Sequence, residues 1–555
     1  MAKVELDFSS LKEENSEKIW KQIGLFVLAF AIITFCYIVV VPYTIIYDST
    51  TAYDATKFVG AAMLVGIGIY GYVLHIKKKL TFENKIFIII LLSFVIHLTY
   101  ILYTSATTRQ YDTWTSNSDG HYDYALSFYL TGTFPDHSID IDSIYQFYHP
   151  PLNAIVQAGF MHVFSFICPN ELLTNSTESL YSACQILSCF YMLVSAVFMV
   201  KIILMSKLSD SSKLLASAFV ALFPRLTQLS GQLNNDALAI MLSIIALYFF
   251  CKWYFVKKNY LNISMTALFI GLAMMTKMSS VIICFGIAVA FVIELVRSIR
   301  KKKGSLKLGN LILQYIVFLA ICAPLGLWFQ FYTHYVYGLP WNYVFSRLNS
   351  ALFTGTQDWV INNKPESLDY YNSKNSGLIY ESNLYNIFKR YIVPIDFTEL
   401  FDYNYIFCSA FNDYCILSYA LRSSIFGEFS YTLGGGIGAI AVFSIFVLWF
   451  LLIIYLIYQL IVRPKFGRDG TFSLYLILGC IVMYLYLQIS MPYGCSMDFR
   501  YIVPIILPIG YLFGKANDLC SIQRKTKFTR LFKQTMNVTL VIFIASSYLF
   551  YFVTI

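Results

Sequence analysis

Charge is what this sequence has least of. Only 13% of its 555 residues are Asp, Glu, Lys or Arg, against about 25% in a typical soluble domain. A disordered chain would be far more polar. It also lacks every common nucleotide and hydrolase signature: no Walker A, GxGxxG, HExxH, GxSxG or EF-hand pattern occurs. Those absences argue against an ATP-driven pump with its motor in this chain, and against the usual metalloprotease and serine-hydrolase chemistries. No CxxC pair or zinc spacing is found among the 12 cysteines. What the sequence has instead is apolar bulk: 58% hydrophobic and 18% aromatic residues. No compact water-soluble fold hides that much apolar surface, so the class is an all-α polytopic membrane protein.

The net charge of +9 does not point to nucleic acid, because the basic residues are placed by topology. Segments 77–85, 297–309, 462–470 and 515–534 hold 4, 6, 3 and 6 basic residues, 19 of the 40 in the chain. The positive-inside rule puts these short connectors in the cytoplasm. Two long connectors are acidic. Segment 104–150 carries six Asp and one Arg, and segment 333–435 carries nine acidic and six basic residues. Both are expected outside, and each is long enough to imply functional structure, with short helices lying flat on the membrane surface. Most cysteines sit in apolar runs as small hydrophobes; Cys408 and Cys415 share an outer loop and are close enough in sequence for a disulfide. The first 22 residues are charged and precede an apolar run without a small-residue cleavage site, which reads as an uncleaved anchor.

Apolar runs of membrane character lie near 24–46, 58–76, 86–103, 151–168, 181–205, 214–224, 236–251, 263–277, 280–296, 310–332, 436–461, 473–490, 502–514 and 537–554. The chain must cross an odd number of times between the outer loop ending at 150 and the basic cluster at 297, yet six runs lie there. One is therefore not a simple crossing; the short runs 214–224 and 263–277 are the candidates. About 13 transmembrane helices are expected. The organisation expected is a cytoplasmic segment 1–23, two extra N-terminal helices in 24–85, a catalytic module in 86–332 that includes the loop 104–150, a large outer loop 333–435 and C-terminal helices in 436–555.

Polar residues capable of chemistry collect at the outer ends of these helices. The first loop reads SNSDGHYDYA, placing Asp119, His121, Tyr122 and Asp123 just beyond a membrane helix. Partial desolvation there raises a carboxylate toward a useful base. Thirty residues on, His149-Pro150-Pro151 opens a helix, where proline's missing N–H costs nothing. Arg225 and Asn234-Asn235-Asp236 stand beside apolar helices, and ionisable residues at such depth are functional by default; NND also reads as a helix cap. Lys277 interrupts GLAMMTKMSSVII, either snorkelling to an interface or marking a break between half-helices where an anion binds. MDFRYIVP sets Asp498 and Arg500 among aromatics. Guanidinium suits a phosphate headgroup, although Asp498 and Arg500 also read as a local pair. In the large loop Glu428 follows Arg422, just before the next helix.

In order and topology, SDGHYDYA, YHPPL, NNDALA, TKMS and MDFRYIVP resemble the GT-C superfamily of integral-membrane glycosyltransferases, nearest its bacterial protein-mannosyltransferase and aminoarabinose-transferase group. The resemblance covers most of residues 86–514. It implies a GT-C-like bundle, and an enzyme that moves a sugar from a polyprenyl-phosphate carrier to a glycan, lipid or protein acceptor on the extracytoplasmic face, with inversion. It implies Asp119 as the base or acceptor-positioning group, with His149, Lys277 and Arg500 near the lipid phosphate; Arg225 is a further cation available to neutralise the leaving phosphate. Supporting roles then fall to His121, Asp123, Tyr122, Asp236 and Glu428. The family pattern often has two adjacent acids, whereas Gly120 follows Asp119 here, leaving Asp123 to compensate. The sequence names no definite cofactor, and scattered carboxylates leave room for a divalent metal. A nucleotide site is not needed and nucleic acid is not a partner. The competing readings are a transporter or flippase of lipid-linked sugars and a polysaccharide polymerase or ligase. A flippase would show internal repeats and mid-membrane polar groups; this chain shows neither.

Overall fold

The structure, a computed structural model, describes residues 16–47, 50–113, 120–135, 148–302, 304–341, 416–427, 429, 435–462, 466–490, 498–522 and 526–554. Among these the fold is all helical. The elements are α1 (Ser16–Tyr47), α2 (Thr50–Ile76), α3 (Phe82–Tyr103), α4 (His121–Thr131), α5 (Leu152–Ile167), α6 (Thr177–Ser182), α7 (Gln185–Leu204), α8 (Asp210–Ala221), α9 (Pro224–Ser230), α10 (Asp236–Cys251), α11 (Tyr260–Thr276), α12 (Ile282–Ile299), α13 (Leu308–Tyr337), α14 (Ile416–Phe426), α15 (Gly435–Val462), α16 (Gly467–Ser490), α17 (Ile506–Ile522, entered through a 3₁₀ turn Phe499–Ile505) and α18 (Lys527–Val553). Eleven helices among the described residues are long and apolar enough to cross a membrane, so the chain is a multi-pass integral membrane protein. The expected count of about 13 is reached only when α11 and the tandem α8–α9 are added.

Two ends of the bundle can be named from side-chain contacts. At the basic-loop end, Lys201 Nζ donates to Gln22 Oε1 at 2.6 Å and Ser212 Oγ donates to Asp518 Oδ1 at 2.6 Å. At the other end, here the site end, Lys277 reaches Asp236 and Arg225 reaches Asp498. The hairpin α10–α11 therefore runs the length of the bundle and back. The tandem α8–α9 spans the same depth as α17, touching it at Asp518 below and meeting Asp498, just ahead of its entry turn, above. Close approach of α8 to α17 depends on glycine: a Cβ at Gly510 would stand 2.6 Å from Val220 Cγ1, and one at Gly514 would stand 2.5 Å from Leu208 Cδ1. Small residues at such spacing let membrane helices pack backbone to backbone.

These contacts correct one sequence expectation. The run that does not cross is 151–168, not 214–224 or 263–277. Helix α5 starts beside His149 at the site end and bonds Leu233 O through Gln157 Nε2 at 2.6 Å. The chain is still at that end when Thr177 Oγ1 meets Tyr122 OH at 2.5 Å and Tyr37 OH donates to Ser182 O at 3.1 Å. Both ends of α5 thus lie on one side. Asn153 and Gln157 are buried on its inner face, while Val163 and Phe166 are exposed. That is the pattern of a helix lying in the interface, and apolar content alone cannot tell it from a short span. Helix α4 packs along α5, and α14 caps the same end, so both acidic loops contribute short helices there as the sequence implies.

Candidate functional site

The site end is assembled by loop 105–113, the start of α4, the start of α5, the Asn234–Asp236 turn, the α11–α12 break and the 3₁₀ turn at Phe499. Glutamines tie these pieces together. Gln110 Nε2 donates to Gly231 O at 2.8 Å, and its Oε1 accepts from Leu233 N at 3.0 Å. Gln232 Nε2 donates to Arg109 O at 2.5 Å, and Gln185 Nε2 donates to Gly231 O at 3.1 Å. The loop they hold contains two non-glycine residues in the left-handed region, Arg109 (φ 56°) and Asp112 (φ 50°). Such strain persists only where surrounding contacts impose it, and it gathers at functional sites. Asp112 O in turn accepts from His121 N at 2.8 Å, setting the entry to α4.

At the centre stands Asp236. Asn234 Oδ1 accepts from Asp236 N at 3.0 Å, so the asparagine does the local turn work and the aspartate carboxylate is left to face inward. Its Oδ1 lies 2.6 Å from Lys277 Nζ, and its Oδ2 lies 4.0 Å from Arg500 Nε. Lys277 occupies an extended residue (φ −157°, ψ 124°) between α11 and a 3₁₀ turn. The sequence's alternative of a break between half-helices is thus the one found, with the lysine turned to Asp236 and 12% exposed. The Arg500 guanidinium sits 3.8 Å from the Tyr111 ring centroid, and its Nη2 donates to Tyr501 OH at 3.1 Å. Lys277 Nζ lies 5.2 Å from the Tyr501 ring. Two cations and one carboxylate, Asp236 and Arg500 buried and Lys277 12% exposed, leave one positive charge beyond neutrality among the three.

His121 and His149 stack beside this cluster, ring centroids 5.6 Å apart. Burial pushes His121 down to about 4; Asp112 and Asp236 oppose that, while Lys277 and Arg500 add to it. Burial likewise holds His149 well below the ordinary histidine range, reinforced by His121, Lys277 and Arg500. Both imidazoles are therefore neutral near pH 7. Burial also lowers Lys277, against the pull of Asp236. Tyr124 OH donates to His149 O at 3.1 Å and fixes the α4–α5 junction.

The structure gathers five of the residues singled out from sequence: His121, His149, Asp236, Lys277 and Arg500. Three others are placed elsewhere. Asp123 Oδ2 accepts from Gly120 N at 3.0 Å and caps α4. Tyr122 turns toward Thr177 and packs edge-on against Tyr181. Arg225 is wholly buried, bound to Asp498 at 2.5 Å and to Tyr111 OH at 3.0 Å. Asp498 does not pair with the Arg500 guanidinium, as the local-pair reading had it; it accepts from Arg500 N at 2.6 Å instead. Asp119, Glu428, Cys408 and Cys415 lie outside the described residues. Sequence reading missed Tyr111 and Asp112, which carry no motif and follow Gln110 in an ordinary polar stretch. Among the described residues no group of three His, Cys, Asp or Glu is disposed to hold a metal.

Residues 142–344 match the family described as dolichyl-phosphate-mannose-protein mannosyltransferase. The match spans the YHPPL, NNDALA and TKMS motifs and so includes His149, Asp236 and Lys277. No curated protein matches the chain. Two crystal structures of ArnT from Cupriavidus metallidurans are similar to it. One, bound to undecaprenyl phosphate, aligns with a TM-score of 0.42 and 12% identity over 83% of this chain and 75% of that one. The other, in the apo state, aligns with a TM-score of 0.33 and 11% identity over 78% of each. That likeness is too slight to carry an argument of its own. The family match falls on the segment where the sequence motifs already pointed, residues 142–344 of the 555.

Proposed function

We propose that this enzyme transfers a sugar from a polyprenyl-phosphate carrier to an acceptor hydroxyl on the extracytoplasmic face, with inversion at the anomeric carbon. The observation that carries the proposal is the buried cluster of Asp236, Lys277 and Arg500 at the end of the bundle opposite the basic loops. The positive-inside rule assigns that end to the outside. A departing lipid phosphate gains negative charge as the glycosidic bond breaks. Preorganised cations in a water-poor site stabilise that charge more than water does, without reorganising. Lys277 and Arg500 are the two cations at hand, and Asp236 keeps both charged and aimed in the absence of donor. The neutral His121 and His149 line the same space as hydrogen-bonding groups that add no charge.

Removal of the acceptor proton needs a base. Asp119 fills that role, two residues ahead of the buried His121. Helices α4 and α5 in the interface let the carrier's tail stay in the bilayer while its head reaches the cluster. The module 86–332 is the catalytic part, 333–435 is a large outer loop, and 24–85 and 436–555 hold the remaining membrane helices. The sugar and the acceptor follow from pocket walls that one sequence does not specify.

Reconstitution with a panel of polyprenyl-phosphate sugars tests this reading. Asp119→Asn is expected to lose transfer by about 10²–10⁴-fold while still binding the carrier lipid. Turnover equal to the unaltered enzyme removes Asp119 from the base role. Carrier-dependent sugar movement across the bilayer with no product formed favours the flippase reading instead.

A further inference from the structure

Behind the cluster lies a second ion pair that the proposed reaction does not use. Arg225 and Asp498 are each 0% exposed, and they bond to each other, to Tyr111 and to the Arg500 backbone. A buried ion pair is a poor way to gain stability, because desolvating both charges cancels much of their attraction. Its presence calls for another explanation, and its contacts supply one.

Each oxygen of Asp498 serves Arg500 by a different route. Oδ1 accepts from the Arg500 backbone N at 2.6 Å, capping the 3₁₀ turn on which Arg500 rides, and is bound by Arg225 Nη2 at 2.5 Å. Oδ2 accepts from Tyr111 OH at 2.9 Å. Arg225 Nη2 also donates to Tyr111 OH at 3.0 Å, closing a ring of three side chains. The Tyr111 ring, held by its hydroxyl at that end, is the face on which the Arg500 guanidinium rests at 3.8 Å. A cation over an aromatic face is attracted to it, the more so when dry. Two further features fit the arrangement. Ser423 Oγ of α14 accepts from Phe499 N at 3.0 Å, fixing the same turn. Gly427 (φ 68°) leaves the space that Arg225 and Tyr111 fill: a Cβ there would stand 2.5 Å from Arg225 Nη1 and 2.8 Å from Tyr111 OH.

We infer that Tyr111, Arg225 and Asp498 form a positioning triad for Arg500, fixing both its backbone and the plane of its guanidinium before the donor arrives. Arg225 then acts through Arg500 and does not touch the carrier phosphate. A guanidinium held in one plane meets a phosphate through two parallel N–H bonds, and bonds formed without a search for the right rotamer cost less entropy. The inference rests on the assignment of Arg500 to the carrier phosphate.

A double-mutant cycle on the full-length enzyme in proteoliposomes tests it, with a polyprenyl-phosphate sugar that the unaltered enzyme turns over. Tyr111→Phe keeps the ring and removes only its tether. It is expected to raise the donor KM about 3–10-fold, with the acceptor KM and the melting temperature little changed. In an Arg500→Ala background the same substitution is expected to have no further effect, because nothing remains to position. Asp498→Asn, which keeps both acceptor oxygen and shape, is expected to partly rescue the loss seen in Asp498→Ala. Equal effects of Tyr111→Phe in the two backgrounds would overturn the triad, since a merely structural role is additive. An Arg500→Ala enzyme with unchanged donor KM would instead overturn the phosphate assignment on which the triad depends.

Discussion

The two ends of the bundle solve the same electrostatic problem in different ways. At the site end, Asp236 is clasped by Lys277 and Arg500, whose side chains are 12% and 6% exposed. At the basic-loop end, Glu294 of α12 is clasped by Lys258 at 3.1 Å, Arg468 at 2.5 Å and Arg297 at 3.6 Å, and the two arginines are 28% and 33% exposed. Both carboxylates are buried and both meet more than one cation. The two arginines at the basic-loop end reach out to water, and Arg468 stacks at 4.0 Å on Tyr254, whereas Lys258 is 10% exposed and as sheltered as Lys277. That cluster joins the α10–α11 connector, α12 and α16 and acts as a staple. The site-end cations are backed by a second buried pair. They face two neutral histidines, not the aqueous phase. What separates the two ends is what surrounds the carboxylate: at the site end a second buried ion pair and two stacked histidines, at the basic-loop end two partly hydrated arginines.

The sharpest way to break this contrast is Asp236→Asn. The site-end reading expects kcat/KM to fall about 10²–10³-fold, with the protein still monodisperse on size exclusion. A variant that stays active but melts far lower would make Asp236 a staple like Glu294. The converse is Glu294→Gln. Removing one partner of a buried cluster is expected to cost about 3–5 kcal/mol of stability, read as a lower melting temperature, with turnover of the folded fraction changed less than about threefold. Loss of turnover without loss of stability would erase the distinction between the ends.

A smaller effect separates them by pH. His121 is held at about 4, below the ordinary histidine value of 6.5, chiefly by burial, and His149 is lowered for the same reason. Between those limits the unfolded chain binds more protons than the folded one, so stability rises with pH across that window. Their contribution is intact above about 6.5 and is lost as pH falls toward 4. The double variant His121→Gln, His149→Gln is expected to flatten the pH dependence of melting between 4 and 6.5. A profile as steep as that of the unaltered protein would place the titration elsewhere.

Much of the fold was legible because bilayer insertion leaves a one-dimensional record. Apolar runs mark the helices, and the lysines and arginines at 77–85, 297–309, 462–470 and 515–534 mark one face. The same record failed at α5. A helix half-sunk in an interface and a short span share one composition, and only its contacts at both termini reveal which it is. In the site, Lys277 and Asp236 were visible because an ionisable residue in an apolar stretch has no cheap explanation. Arg500 was visible through its aromatic neighbours. Tyr111 and Asp112 were not, since a tyrosine and an aspartate after a polar Gln110 look like any loop.

The sequence by itself determined that this chain lives in a membrane, which connectors gather the basic residues, and which polar groups sit at helix ends. Those properties follow from the cost of placing charge and unpaired backbone in hydrocarbon, a cost paid residue by residue. The tertiary structure decided which cation meets which carboxylate. Arg225 and Arg500 are equivalent as residue types, yet one is sealed behind Tyr111 and Asp498 and the other faces Asp236. That choice depends on pairings between residues hundreds of positions apart, such as Arg225 with Asp498 and Tyr111 with Asp498, which only the packing of the helices brings within a hydrogen bond of each other.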